Sequence, residues 1–300
     1  QHMDNKYYSD NLERNFYGGP YQEVPPLAKD IDSSLDQDLL REVDRDLTNV
    51  FTGTYPGFQK STLPYHNLRH TQMVVLATVR LFHGLHSKRI TFPPNTLLKG
   101  ILAAYFHDTG MLLLEDDPPR SSKDYMPDHE ARSTLFLLQY ITPKGLPEDI
   151  PRDCGIIIRY TALNSDPTTF EPHSRDIKLA GQVLGSADIL AQMADRYYLE
   201  CLPLLFDEQK AGGVNRHDSA MELIVHTANF YHNVILERLV STLSNTSEAM
   251  QSHFRERYGL DRNLYKENID KNIAYVKKII KKCDDIECLD QYLKRSPPTI

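Results

Sequence analysis

The stretch LPYHNLRHTQMVVLATVRLF, residues 63–82, sets two histidines, His66 and His70, in front of a run that is aliphatic at nearly every position. After Gln72 only Thr78 and Arg80 interrupt it. A helix that is apolar all round, rather than along one stripe, has to be enclosed by other elements. The spacing therefore predicts a core helix over 68–86. It also raises a question: why do two titratable imidazoles stand at its mouth?

Outward from this helix, apolar residues recur at i, i+3, i+4 and i+7 over 33–51, 95–106, 128–141, 176–206, 218–243 and 262–293. Clusters of Pro, Gly and Asp, such as GTYPG, TFPPN, EDDPPRSS and LNSDPTTFEP, separate them as loops. The short segment CGIIIRY, residues 154–160, stays ambiguous between helix and strand. No internal repeat of solenoid period is present. The expected fold is all-α, a helical bundle around one core. Residues 1–30, rich in Tyr, Pro, Gly and Asn, read as an arm draped on the surface, and Gln1, His2 and Met3 look like a vector remnant. Residues 31–210 read as the main helical core, and 211–300 as further C-terminal helices on the same domain.

A chain of 300 residues with 40% hydrophobic and 25% charged side chains is long enough and apolar enough for a sizeable core. Its formal charge of −7 argues against a nucleic-acid partner, which calls for a clustered excess of Lys and Arg. The local exception, Lys277, Lys278, Lys281 and Lys282, falls at helical spacing and reads as a solvated face. The four cysteines, Cys154, Cys201, Cys283 and Cys288, form no CxxC pair and are expected to be reduced thiols. No apolar run approaches the roughly 20 residues of a membrane span, and no apolar signal core opens the chain. A cytoplasmic protein with no membrane partner is expected.

Two further segments carry chemistry. In ILAAYFHDTG, residues 101–110, an apolar helix ends in His107 and Asp108. In VLGSADILAQMADRYY, residues 183–198, Asp188 interrupts an apolar helical stripe. A buried carboxylate needs a cation, a donor or solvent. Singly, each residue also reads as a cap, a core histidine bonded to a carbonyl, or a solvated face. Together, a His of YHNLRH, the His-Asp pair and the distant Asp supply two neutral nitrogens and two hard oxygens, a set suited to Mn, Fe, Zn, Co or Mg.

The order His70, His107-Asp108, Asp188 resembles the HD-domain superfamily of metal-dependent phosphohydrolases, whose fold is all-α. The resemblance implies that these four residues hold one or two divalent ions, with Asp108 bridging where there are two. PYHNLRHTQMVV, residues 64–75, is similar to the PYHNxxHxxxVV segment of class I cyclic-nucleotide phosphodiesterases, a branch of that superfamily. By that likeness His70 is the ligand and His66 the general acid, which answers the opening question. Were the helix already to include Tyr65, the i, i+4 spacing would turn both imidazoles to one site. A pKa near 6.5 suits a histidine to giving and regaining a proton near neutral pH. The likeness covers roughly residues 62–80, 101–110 and 185–190. The chain departs from the branch where HDxxHPG is replaced by HDTGMLL.

His129, opening the helix in MPDHEARS, stands where two-metal HD proteins place an additional ligand; otherwise it is an exposed residue of a first helical turn. His173 in FEPHSRD is a further candidate from its loop. Arg69 and Arg132 are either phosphate partners or surface helix residues. A second HD dipeptide, His217-Asp218 in NRHDSA, lacks the preceding apolar helix and reads as a helix N-terminus. A second Tyr-His-Asn, at 231–233, lacks the following His and reads as structural. The implied function is metal-dependent hydrolysis of a small-molecule phosphate ester, most naturally a nucleotide. The opposing reading is a degenerate module that binds a nucleotide without cutting it. A homo-oligomer through the C-terminal helices is left open.

Overall fold

The computed structural model describes residues 22–118 and 122–298. Among these the chain is all-α, and its one β interaction is an isolated bridge between Phe58 and Leu114. The α-helices are α1 (Val24–Ile31), α2 (Gln37–Thr52), α3 (Leu68–Ser87), α4 (Thr96–Phe106), α5 (His129–Ile141), α6 (Asp149–Arg159), α7 (Arg175–Met193), α8 (Tyr198–Ala211), α9 (Ala220–Phe230), α10 (Ala249–Tyr258), α11 (Leu264–Ile279) and α12 (Ile286–Asp290). The buried apolar side chains form one continuous cluster from Val24 to Leu289. No described helix is long and apolar enough to cross a membrane.

Helix α3 is the axis. Every residue from Val74 to Leu85 is buried, as an all-apolar helix requires, and α1, α4, α7 and α10 enclose it. Asn67 caps its start by accepting from the His70 amide at 3.1 Å. The cap fixes the first helical residue as Leu68, so Tyr65 and His66 precede the helix and do not lie on its first turn. Helix α4, entirely buried, lies beside α3, and its Lys99 is neutralised by Asp149 at 2.6 Å and Asp153 at 2.7 Å on α6. At Gly84 a Cβ atom would stand 1.9 Å from the Ala249 carbonyl oxygen, so only glycine lets α10 approach α3 this closely.

Several boundaries differ from expectation, each for a local reason. The segment 176–206 is two helices, α7 and α8, broken where the Asp195 carboxylate accepts from the Tyr197 amide at 2.9 Å. CGIIIRY belongs to a helix, α6, and Gly155 lets it press against Thr134 of α5. The segment 218–243 is α9 followed by π turns at Tyr231–Ile235 and Arg238–Thr242. Part of the expected surface arm is structured: α1 buries Val24, Leu27 and Ala28 against α3. The rest of that arm, residues 1–21, lies outside the described residues. Cys283 and Cys288 are not reduced thiols but a disulfide across the turn between α11 and α12, whose Cα atoms are 5.3 Å apart. Cys154 and Cys201 are free and buried.

Arg80 fits the apolar run because a carboxylate meets it inside. Its guanidinium, 1% exposed, donates to Glu23 at 2.6 and 3.2 Å and to the Tyr265 hydroxyl at 3.0 Å. Burial disfavours the charged form of Glu23, yet Arg80 and the Tyr258 hydroxyl hold its pKa below the ordinary value. Removing one member of a buried ion pair strands the other, at a cost of about 3–5 kcal/mol, while replacing both by apolar residues is close to neutral. Glu23→Leu alone is therefore expected to lower the urea midpoint sharply, and Glu23→Leu with Arg80→Met to recover most of the loss. Equal midpoints for the single and double variants would contradict this.

Candidate metal centre

Three helices deliver donors to one buried point. Helix α4 ends at Phe106, and the chain turns through His107 and Asp108 into a 3₁₀ turn, Thr109–Met111, where the Thr109 hydroxyl donates to the Phe106 carbonyl at 2.7 Å. His107 is fully buried, and its Nδ1 donates to the Ala104 carbonyl at 2.7 Å. That bond commits Nδ1 as a donor and turns Nε2 inward, the nitrogen that a metal would take once its proton is displaced. His70 comes from the first turn of α3, and Asp188 from the C-terminal third of α7.

The donor atoms converge. His107 Nε2 lies 3.0 Å from Asp108 Oδ2 and 3.7 Å from Asp188 Oδ1; His70 Nε2 lies 3.3 and 3.2 Å from the same two oxygens. None of His70 Nε2, His107 Nε2 and Asp108 Oδ2 makes a hydrogen bond, although all three are buried. Orphaned buried polar atoms are costly. Ligands held about 2.0–2.2 Å from one ion stand about 3.0–3.5 Å apart, close to these separations. The residues present thus fit a divalent cation, and the donor set, two imidazoles and two carboxylates, is one that Mn, Fe, Zn and Co accept.

His129 joins the same centre from another side. At the start of α5, its Nδ1 donates to the Met126 carbonyl at 2.8 Å, and its Nε2 lies 3.5 Å from Asp108 Oδ1. Asp108 therefore presents one oxygen to His70 and His107 and the other to His129. Gly110 makes this approach possible, since a Cβ there would stand 2.0 Å from the His129 carbonyl oxygen. The Gly110 amide donates to Ser133 Oγ and that hydroxyl to the His107 carbonyl, both at 2.8 Å, riveting α5 to the turn. The glycine of HDTG is thus a packing requirement.

His66 stands next to this centre, its ring centroid 5.5 Å from that of His70. Its Nδ1 makes a short bond to Glu208 Oε1, and Glu208 Oε2 accepts from the amides of Tyr65 at 3.0 Å and His66 at 3.2 Å. Burial opposes the charge on His66, but Glu208 and then Asp108 outweigh it and raise the pKa to about 9. Burial likewise opposes ionisation of Asp108, His70 and His107. Mutual attraction nevertheless holds the Asp108 carboxyl well below its usual range and both imidazoles above theirs. Without a cation, the attraction between imidazoles and carboxylates favours the protonated histidines.

Glu208 is the residue sequence reading overlooked. The signal was present: Cys201 and Leu205 are buried on α8, and Glu208 continues their stripe one turn on, where a solvated face would not place it. Its partners, His66 and Tyr65, are 142 and 143 positions away in sequence, so no local pattern names them. The two arginines weighed as phosphate partners or surface residues are neither exposed nor uncommitted. Arg69 forks onto Asp195 at 2.6 and 3.0 Å, and Arg132 binds Asp117 and the carbonyls of Gly110 and Leu112 while stacking on Tyr125. His173 engages the Glu171 carbonyl and the Tyr160 hydroxyl and is not among the converging donors. Scans of the chain against family models, curated proteins and solved structures return no match.

Because the pKa values of the His70 and His107 imidazoles are raised and a metal takes them deprotonated, cation binding is expected to release protons and to tighten as pH rises from 6 to 8, by up to about tenfold per pH unit for each proton displaced. Calorimetric titration with Mn²⁺ in buffers of different ionisation enthalpy measures both quantities. Binding that is independent of pH and buffer would exclude these histidines as ligands.

Proposed function

We propose that this protein is a metal-dependent phosphohydrolase of the HD-domain type, acting on a phosphate ester of the nucleotide class. The observation that carries the reading is the juxtaposition of two unlike devices. Buried, unbonded donors of His70, His107 and Asp108, with the half-buried Asp188 carboxylate 3.2 Å from His70 Nε2, lie beside a histidine, His66, that a buried carboxylate keeps protonated.

His70, His107, Asp108 and Asp188 would hold the cation, and His129 with the second oxygen of Asp108 would contribute to a second one. A bound divalent ion supplies an acidified water and a Lewis acid for phosphoryl oxygen. The remaining work falls to side chains. His66, an imidazolium at neutral pH, gives its proton to the departing ester oxygen, which otherwise leaves as a costly alkoxide. Glu208 accepts from Nδ1 and so points the opposite ring nitrogen, Nε2, away from itself. The same carboxylate, anchored by two backbone amides, cannot swing away as the proton departs. Asp188, with a side chain 23% exposed, marks the open side of the centre.

A second reading has its own support. Arg69 and Arg132 are both committed to carboxylates, so neither offers an idle guanidinium to a phosphate. A module that binds a nucleotide without turnover is consistent with that.

Two variants separate the readings, assayed on bis(p-nitrophenyl) phosphate and on cyclic and linear nucleotides with Mn²⁺. His66→Asn is expected to keep the metal and lose about 10²–10⁴-fold in turnover. Glu208→Gln removes the main attraction that raises the His66 pKa, so the alkaline fall in turnover should move to lower pH than in the wild type. Nucleotide binding without product in any of these proteins would establish the module instead.

A further inference from the structure

The second His-Asp dipeptide, set aside in the sequence as a helix start, opens a different cluster. His217 in the loop before α9, and Glu222 and His226 one turn apart on that helix, each present a donor atom, all within 4.8 Å of one another. His217 Nδ1 and His226 Nδ1 are 3.4 Å apart, and Glu222 Oε1 is 4.0 Å from His226 Nδ1. Nitrogens bound about 2.0–2.1 Å from one tetrahedral ion stand about 3.3–3.4 Å apart, which is the separation of the two imidazoles here.

The carboxylate is held in place independently of any ligand. Ser219 caps α9 by accepting from the Glu222 amide at 3.1 Å, while Glu222 Oε2 accepts from the Asp218 amide at 2.6 Å. One oxygen is thereby used in the cap, and the other, Oε1, is turned toward His226. His226 follows at i+4 on the same face. His217 is tethered in turn, because Asn215 donates to its carbonyl at 2.9 Å.

We propose that His217, Glu222 and His226 form a second metal site, on the surface and separate from the buried centre, that takes zinc or a cation of similar borderline softness. Two imidazoles and a single carboxylate discriminate against Mg²⁺ and Ca²⁺, which favour oxygen-rich sets. The partly exposed ligands leave a coordination position to water. Occupancy ties the loop after α8, the helix that carries Glu208, to the first turns of α9.

The test is equilibrium dialysis of the full chain against Zn²⁺, with Mg²⁺ as control, in the Asp108→Ala background that disables the buried centre. One equivalent of zinc is expected, lost on adding either His217→Ala or His226→Ala, with no Mg²⁺ bound. The same comparison in the otherwise wild-type chain, where His226→Ala should remove one equivalent, covers a poorly folding Asp108→Ala. Zinc retained by both histidine variants, or absent before they are introduced, overturns the proposal. Neither result bears on the buried centre, whose residues are untouched by these two substitutions.

Discussion

A carboxylate that is 5% exposed cannot be left alone, and Asp108 is the point around which the rest of the structure is arranged. It lies where α4 runs out of apolar residues, so the helix has to end there, with His107 turned back onto its own last carbonyls. Helix α3 must begin close by, because His70 on its first turn is the next compensating group, and α7 must pass with Asp188 toward the same point. Gly110 is needed because α5 can bring His129 to the second oxygen of Asp108 only where no side chain intervenes. The bundle places four segments in contact at one buried acid.

Other buried charges in the same molecule show what ordinary compensation looks like. Arg80 meets Glu23, Lys99 meets Asp149 and Asp153, and Arg69 meets Asp195, each through hydrogen bonds of 2.6–3.2 Å. At Asp108 the neighbouring nitrogens stand at similar range but make no such bonds. Unbonded buried side-chain atoms also occur on Gln37, Thr71, Arg238 and His253, but at Asp108 two imidazole nitrogens and an oxygen of the carboxylate itself are unbonded together, the form of a site shaped for a ligand that bonds to all three at once. That convergence of three unbonded atoms on one point carries more weight for the cation reading than any single distance.

How much of this was legible in the sequence follows from the range of the interactions. The central helix was readable because burial on all sides leaves a local mark, a run of aliphatic residues, and His107-Asp108 because the apolar run stops there. His129 could be raised as a candidate but not decided, since its alternative, a solvated first turn, has the same local sequence. Glu208 was missed because its partners are the backbone and ring of residues far away in the chain. Helix α10 was missed because it packs through Ser252, His253 and only three apolar side chains, Ala249, Met250 and Phe254, too weak a stripe to count. The break at Asp195 and the disulfide were hidden for the same reason: a carboxylate caps the chain or pairs with Arg69, and two thiols meet, only once the turns have formed.

The most direct measurement is the transition-metal content of the wild type and of Asp108→Ala, both purified without chelator or metal-affinity steps and both confirmed as folded by circular dichroism. Since the surface cluster contributes equally to both, the difference counts only the buried centre. One or two equivalents present in the wild type and missing from Asp108→Ala is the predicted result. Equal content in the two proteins, persisting after dialysis against Mn²⁺, would contradict a cation at Asp108 and leave the histidine protons as its only compensation.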